Sequence, residues 1–233
     1  MASDPGHGAA RHRVGLIVPS SNTVMEVDFH RALPPEITVH TARMYLEETT
    51  REGELRMINE FVPPAAELVR TVYPDLVVFG CTSAGSLGGL AFDRKVCDDI
   101  AKATGARTIG VLSSVAHQLK QLRARRLAVL TPYIDELNQT IRGSLEEDGY
   151  EVVHLAGLGI TKNYDIGCVT PEQILAFAQA QLRGVRADCL FLSCTNLRSV
   201  EAIPLVQQAL GIPVISSNHC AIEAVKAHFQ RAA

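Results

Sequence analysis

Two ten-residue stretches of this chain, VVFGCTSAGS (residues 77–86) and LFLSCTNLRS (residues 190–199), follow one pattern. Each is an apolar run of strand length, then a small residue, then Cys-Thr, then a polar segment that ends in serine. Asp75 and Asp188 precede the two runs at the same spacing as the two cysteines. The stretches therefore predict two related halves, each with a cysteine where a strand ends.

Apolar runs and segments with helical spacing alternate on both sides of these stretches. The runs of strand length lie at residues 14–18, 37–42, 76–80, 108–113, 127–131, 151–156, 189–193 and 213–216. Their almost continuous Val, Ile and Leu content is typical of strands buried on both faces of a parallel sheet. The alternation predicts an α/β fold with two pseudo-symmetric, Rossmann-like (flavodoxin-like) parallel-sheet lobes and an active site between them.

The internal repeat also predicts where the lobes divide. We expect an N-terminal lobe over residues 1–115 and a second lobe over residues 116–218. The last segment, residues 219–233, is predicted to be a helix that packs back on the first lobe.

Composition limits the classes of partner. The chain has 233 residues, 47% of them hydrophobic, and a formal net charge of −3. It has no basic stripe for nucleic acid and no apolar run of the roughly 20 residues that a membrane helix needs. The first residues lack the apolar segment of a signal peptide. We expect a cytoplasmic protein with free thiols that binds neither nucleic acid nor membrane.

Four polar segments follow predicted strands: PSSNT (19–23), GCTSAGS (80–86), TPY (131–133) and SCTNLRS (193–199). Ligands of open α/β sheets bind beyond the carboxyl ends of the strands. Backbone N–H groups and small polar side chains at such ends suit a carboxylate, and two facing segments suit a dicarboxylate. A Walker motif and a G-x-G-x-x-G motif are absent, which disfavours phosphate and dinucleotide ligands.

Cys81 and Cys194 are the predicted catalytic residues. A thiol at the start of a helix is expected to have a lowered pKa, which favours the nucleophilic thiolate. The other four cysteines are interpreted as buried packing residues. No C-x-x-C motif or spaced histidine pair suggests zinc, and G-x-S-x-G is absent. Two facing thiols can serve as a base and an acid, or as a nucleophile and an acid, without a cofactor or a metal.

The segments IVPSSNTVME (17–26), GCTSAGS, TPY and SCTN, with one cysteine in each half, resemble the aspartate/glutamate racemase superfamily. The closer resemblance is to its branch of maleate cis-trans isomerases and arylmalonate decarboxylase-like proteins, over roughly residues 12–228. Arylmalonate decarboxylase has glycine in place of the first cysteine. The presence of Cys81 therefore argues against decarboxylation.

The resemblance implies a mechanism and a set of binding residues. Cys81 would add to the double bond of maleate, and Cys194 would protonate and later deprotonate the neighbouring carbon. The residues that would bind the substrate carboxylates are Asn22, Thr82, Ser83, Tyr133, Asn163, Thr195 and Asn196.

Two alternatives stay open at this point. One is a racemase or decarboxylase of a small carboxylic acid, including an ectoine-utilisation type, with the same thiols. The other is a non-catalytic carboxylate-binding protein. Arg198 in the second cysteine segment is either a further substrate contact or a solvated helix residue. The family is commonly oligomeric, so we expect a homo-oligomer.

Overall fold

Eight strands and eleven α-helices alternate along residues 12–230, the part of the chain that this computed structural model describes. The strands are β1 (His12–Pro19), β2 (Ile37–Met44), β3 (Leu76–Phe79), β4 (Thr108–Gly110), β5 (Arg126–Thr131), β6 (Glu151–Gly157), β7 (Cys189–Leu192) and β8 (Val214–Ser216). The helices are α1 (Met25–Ala32), α2 (Arg51–Arg56), α3 (Val62–Arg70), α4 (Thr82–Ser86), α5 (Gly89–Thr104), α6 (Val111–Gln121), α7 (Asp135–Glu147), α8 (Asn163–Gly167), α9 (Pro171–Gln181), α10 (Ser199–Leu210) and α11 (Ser217–Gln230). A π-helical turn, Met57–Phe61, joins α2 to α3.

The strands form two parallel sheets of the same topology. The first sheet has the order β2-β1-β3-β4, and the second has the order β6-β5-β7-β8. The order is that of the flavodoxin-like fold. All residues of β3 and β7 are buried, because helices cover both faces of each sheet. The α/β prediction with two related lobes is therefore confirmed.

Two boundaries between a strand and the helix that follows it differ from the prediction. The run at residues 108–113 was predicted to be one strand, but β4 ends at Gly110 and α6 begins at Val111. In the second half, β8 ends at Ser216 and α11 begins at Ser217, two residues before the predicted start of the helix. A buried helix face is as apolar as a buried strand, so periodicity over a few residues does not separate them.

The last helix, α11, packs against α6 and α1. Near its end the ring of Phe229 stacks on His12, the first residue of β1, with 4.3 Å between ring centroids. Buried residues of both central strands, β1 and β5, belong to one hydrophobic cluster, so the two sheets share a core.

The predicted lobe boundaries stay a prediction. Residues 1–11 of the predicted first lobe and residues 231–233 of the predicted last segment lie outside the described residues.

Between residues 12 and 230, none of the helices is both long enough and apolar enough to cross a membrane.

Candidate active site

The carboxyl ends of the central strands of the two sheets meet each other. Thr195, just after β7, donates from its hydroxyl to the carbonyl oxygen of Gly80, just after β3, at 3.1 Å. Asn22, just after β1, donates from Nδ2 to the same Thr195 hydroxyl at 3.1 Å. The strand ends of the two sheets are therefore opposed as predicted, and these side chains join them.

Ser217 joins the two cysteine segments, and sequence analysis gave it no role. Its hydroxyl oxygen accepts a hydrogen bond from Thr82 Oγ1 at 2.8 Å and from the backbone N–H of Cys194 at 3.1 Å. It is fully buried at the first position of α11. The serine pair at the end of β8, which repeats a serine pair after β4, was the available signal.

Cys81 is held at the junction between β3 and α4. The preceding Gly80 has no room for a side chain, because a Cβ would lie 2.8 Å from Val18 Cγ1 and 2.9 Å from the carbonyl oxygen of Ile17. The backbone of Cys81 is extended, and Cys81 occupies the N-cap position of α4. Its thiol therefore lies near the first turn of that helix. Ser83 Oγ lies 3.6 Å from Cys81 Sγ. Close packing of β3 on β1 thus fixes where the thiol lies.

Glu54 on α2 contacts this thiol, and sequence analysis did not identify it. The Cys81 thiol donates to Glu54 Oε2 at 3.4 Å, and the Ser83 hydroxyl donates to Glu54 Oε1. The side chain of Glu54 is fully buried. Burial raises the pKa of Glu54 to about 7, although hydrogen bonds from Ser83 and Cys81 lower it. A carboxyl group that titrates near neutral pH therefore lies beside the predicted nucleophile.

Replacing Glu54 with glutamine should stabilise the protein at alkaline pH. The folded-state pKa of about 7 exceeds the ordinary value of 4.5, so folding favours the protonated acid. Its stabilising effect is complete below about pH 4.5 and is lost as the pH rises through about 7. The free energy of unfolding of Glu54→Gln, relative to wild type, should therefore grow by about 3 kcal/mol between pH 4.5 and pH 8.

Urea unfolding at several pH values measures this difference. Glu52→Gln is the matched control, because Glu52 lies on the same helix with an exposed side chain. Its difference from wild type should not change with pH. A Glu54→Gln difference that stays constant from pH 4.5 to pH 8 would show that Glu54 is charged in the folded protein at all these values.

Cys194 lies on strained backbone. Its φ angle is 150°, a region that residues other than glycine rarely adopt and that costs about 1–3 kcal/mol. The backbone N–H of Asn196 donates to Cys194 Sγ at 3.2 Å. Burial raises the pKa of Cys194 to about 11, while hydrogen bonds from the Tyr133 hydroxyl and the Asn196 N–H lower it. Unlike Cys81, Cys194 does not lie directly before a helix, because α10 begins only at Ser199.

Asn196 and Asn163 form a second polar link between the walls. Asn196 Oδ1 accepts from the backbone N–H of Thr23 at 2.8 Å, and its Nδ2 donates to the carbonyl oxygen of Asn163 at 2.6 Å. Asn163 Nδ2 donates to Ser21 Oγ at 2.8 Å. The backbone N–H of Asn163 donates to the carbonyl oxygen of Glu47. This hydrogen bond anchors the start of α8 to the loop before α2.

All of the predicted site residues line this region. Each has at most 3% of its surface exposed: Asn22, Cys81, Thr82, Ser83, Tyr133, Asn163, Cys194, Thr195 and Asn196. Asn22 also has a local role, since its Oδ1 accepts from the N–H groups of Val24 and Met25 at the start of α1. Their roles toward a ligand stay a prediction.

Two other expectations have clear outcomes. Arg198 makes two hydrogen bonds to Glu201, at 3.0 and 2.9 Å, and is partly exposed, which favours the interpretation as a solvated residue, although it lies just before α10 and not within it. Cys168, predicted to be a buried packing residue, is exposed at the end of α8. Cys97, Cys189 and Cys220 are buried as predicted.

The expected lowering of the thiol pKa is wrong in direction. Burial raises the pKa of Cys81 well above its ordinary value, and the nearby charge of Glu54 raises it further. The backbone N–H of Ala84 lowers it, as expected at a helix start, but by less. Because the site excludes water, desolvation of the thiolate outweighs the effect of a five-residue helix.

Within residues 12–230, His, Cys, Asp and Glu side chains form no group of three or more that could hold a metal ion.

Known proteins are similar to this chain over nearly its whole length. A maleate isomerase from Nocardia farcinica is 29% identical over 215 residues, covering 88% of this chain and 85% of the relative. An arylmalonate decarboxylase from Bordetella bronchiseptica is 29% identical over 215 residues, covering 90% of this chain and 87% of the relative.

A solved structure has the same fold. It is a cysteine-to-serine variant of the Nocardia farcinica maleate cis-trans isomerase with a covalently bound succinylcysteine intermediate. Its TM-score is 0.87 at 24% identity, with 94% of this chain and 93% of that chain covered. The resemblance drawn from the cysteine segments is confirmed. Since the family model described as arylmalonate decarboxylase matches residues 14–231, the chain belongs to the arylmalonate decarboxylase family.

Proposed function

We propose that this protein is a cofactor-independent cis-trans isomerase that converts maleate to fumarate with two cysteines. The observation that carries the proposal is the pair of buried thiols, Cys81 and Cys194, at equivalent strand ends of one cleft. The maleate isomerase relatives support the reaction, and the succinylcysteine of the structural neighbour supports a covalent route.

The reaction needs one nucleophile and one proton donor. The Cys81 thiolate forms a C–S bond to one alkene carbon, and the adjacent carbon takes a proton from the Cys194 thiol. The former double bond is then a single bond and can rotate. The Cys194 thiolate removes the proton again, the double bond re-forms, and the C–S bond breaks to release fumarate.

The lining of the cleft suits a small dianion. Backbone N–H groups of Thr82 and Ser83 on one wall, and the backbone N–H of Thr195 with the side chain of Asn196 on the other, form two candidate carboxylate sites. Asn22, Tyr133 and Asn163 add side-chain donors. Burial raises the pKa of Tyr133 well above its ordinary value, so its hydroxyl stays protonated and can donate a hydrogen bond.

The protein is further proposed to be a cytoplasmic homo-oligomer.

Proton NMR of the purified protein with maleate in D₂O tests the reaction. We expect the vinyl signal of maleate to be replaced by that of fumarate, with an unchanged rate after chelator treatment. A Cys81→Ser sample measures the background. If maleate persists while deuterium enters the α-carbon of a chiral or malonic acid, the thiols catalyse racemisation or decarboxylation instead. If no acid reacts but maleate binds, the protein is a carboxylate-binding protein.

A further inference from the structure

The thiol proton of Cys81 needs an acceptor inside the cleft. A thiol attacks carbon only as the thiolate, and burial opposes the formation of that charge. Two polar side chains of a buried cluster lie near Cys81 Sγ, Glu54 Oε2 at 3.4 Å and Ser83 Oγ at 3.6 Å. A serine hydroxyl cannot accept the proton and keep it at neutral pH, whereas a carboxylate can.

Glu54 is oriented so that one oxygen faces the thiol. The Ser83 hydroxyl donates to Oε1, which leaves Oε2 as the oxygen in contact with Cys81. Thr50 caps α2 by accepting from the backbone N–H of Gly53, one residue before Glu54. Helix α2 also packs directly on α4, the short helix that follows Cys81. The position of the carboxyl group is therefore fixed by the Ser83 hydrogen bond at its tip and by the anchored helix at its backbone.

We propose that Glu54 is the proton acceptor for Cys81: it takes the thiol proton when Cys81 attacks the substrate and returns it when Cys81 leaves. This assignment rests on the proposed role of Cys81 as the nucleophile. It explains why Glu54, whose hydrogen-bond partners among residues 12–230 include no cationic side chain, is buried beside a thiol. A buried carboxyl group without a counter-charge is costly and is typical of functional sites.

The proton transfers balance over the cycle. The Cys81 proton moves to Glu54 Oε2 while sulfur bonds to one alkene carbon. The electron pair of the double bond moves to the other carbon, which takes the proton of Cys194. In the second half, Cys194 recovers its proton, the double bond re-forms, the C–S bond breaks, and Glu54 returns its proton to Cys81. Both thiols and the carboxylate are regenerated, and no external acid, base or oxidant is consumed.

The pH dependence of Cys81 alkylation by iodoacetamide tests the pair without any substrate. Peptide mass spectrometry quantifies each cysteine separately, so exposed Cys168 and buried Cys97 serve as internal references. In wild type, the Cys81 rate should rise through about pH 7, where Glu54 loses its own proton and becomes able to accept that of Cys81. In Glu54→Gln, burial keeps the thiol protonated at this pH. The rise should move to higher pH, and the rate at pH 8 should fall roughly tenfold or more.

Two further variants separate proton transfer from packing. Glu54→Asp keeps the charge but withdraws the carboxyl group by one methylene, so we expect an intermediate rate. Glu52→Gln on the exposed side of α2 should match wild type. An equal or faster Cys81 rate in Glu54→Gln at pH 8 would overturn the proposal, because Glu54 would then only repel the thiolate. Unchanged rates at Cys168 and Cys97 show that the variant is folded.

The proposal and the proposed function can fail separately. If the Cys81 alkylation rate rises near pH 7 and this rise depends on Glu54, but the protein does not convert maleate, the role of Glu54 stands and the proposed substrate is wrong. Conversion of maleate without that rise keeps the isomerase and overturns the role of Glu54. In an active isomerase, kcat of Glu54→Gln should also fall by roughly 10²–10³, with loss of the acid limb of the pH profile.

Discussion

Replacing Cys194 with serine should leave maleate covalently attached to Cys81. The first half of the reaction can still occur, since Cys81 adds to the double bond and the adjacent carbon takes a proton from the serine hydroxyl or from water. The second half requires a base at that position. A serine hydroxyl has a far higher pKa than a thiol, so removal of the proton becomes very slow, and kcat should fall by roughly 10²–10⁴.

Intact-mass measurement after incubation with maleate checks this expectation. The Cys194→Ser protein should gain the mass of one maleate, and peptide mapping should place the addition on Cys81. Cys97→Ser is a matched control, because Cys97 is also a buried cysteine but lies on α5, outside the cleft. It should turn over normally and carry no adduct. Normal turnover in Cys194→Ser would remove this residue from the mechanism.

The strand ends and both cysteines could be predicted because their signals are local. A buried parallel strand is an apolar run, and the polar residues that follow it must lie at the carboxyl edge of the sheet. The repeat of Cys-Thr marked the two edges that face each other. Asn22, Tyr133 and Asn163 entered the prediction through the family resemblance, and the structure buries all three beside the opposed strand ends.

Glu54 could not be predicted because its sequence context looks like an exposed helix. It lies in the largely polar segment TTREGELR (residues 49–56), where a glutamate is normally solvated. Only the tertiary packing of α2 on α4 buries it against Cys81. The signs of the thiol pKa shifts were missed for the same reason. The sequence shows which backbone N–H groups adjoin a thiol, but the depth of burial comes from both sheets together.

The φ angle of Cys194 is a further feature that local sequence does not carry. Residues Thr195 and Asn196 after it are tied across the cleft to Gly80 and Thr23. These long-range contacts hold the segment that follows the strained residue, and a local sequence pattern does not contain them. The two cysteines are therefore equivalent in sequence but not in structure. Cys81 has a helix start and a carboxyl partner, whereas Cys194 has strained backbone and Tyr133.

Replacing Cys81 with serine should abolish turnover without adduct formation. The nucleophile is lost, because a buried serine hydroxyl beside Glu54 does not ionise near neutral pH, and kcat should fall by at least roughly 10⁴. The fold should be retained, since serine is smaller than cysteine and can still donate to Glu54. Residual fumarate is measured by NMR over long incubation and compared with the reaction in buffer.

The double variant Cys81→Ser/Cys194→Ser gives the sharper result. If the two thiols act in successive steps of one covalent route, removal of the first already stops the route. The double variant should then be no slower than Cys81→Ser alone, and the adduct seen in Cys194→Ser should disappear. Losses that multiply would mean that the thiols contribute independently. Each thiol would then bind or polarise the substrate without a covalent bond. The different surroundings of Cys81 and Cys194 would in that case affect only how the substrate binds.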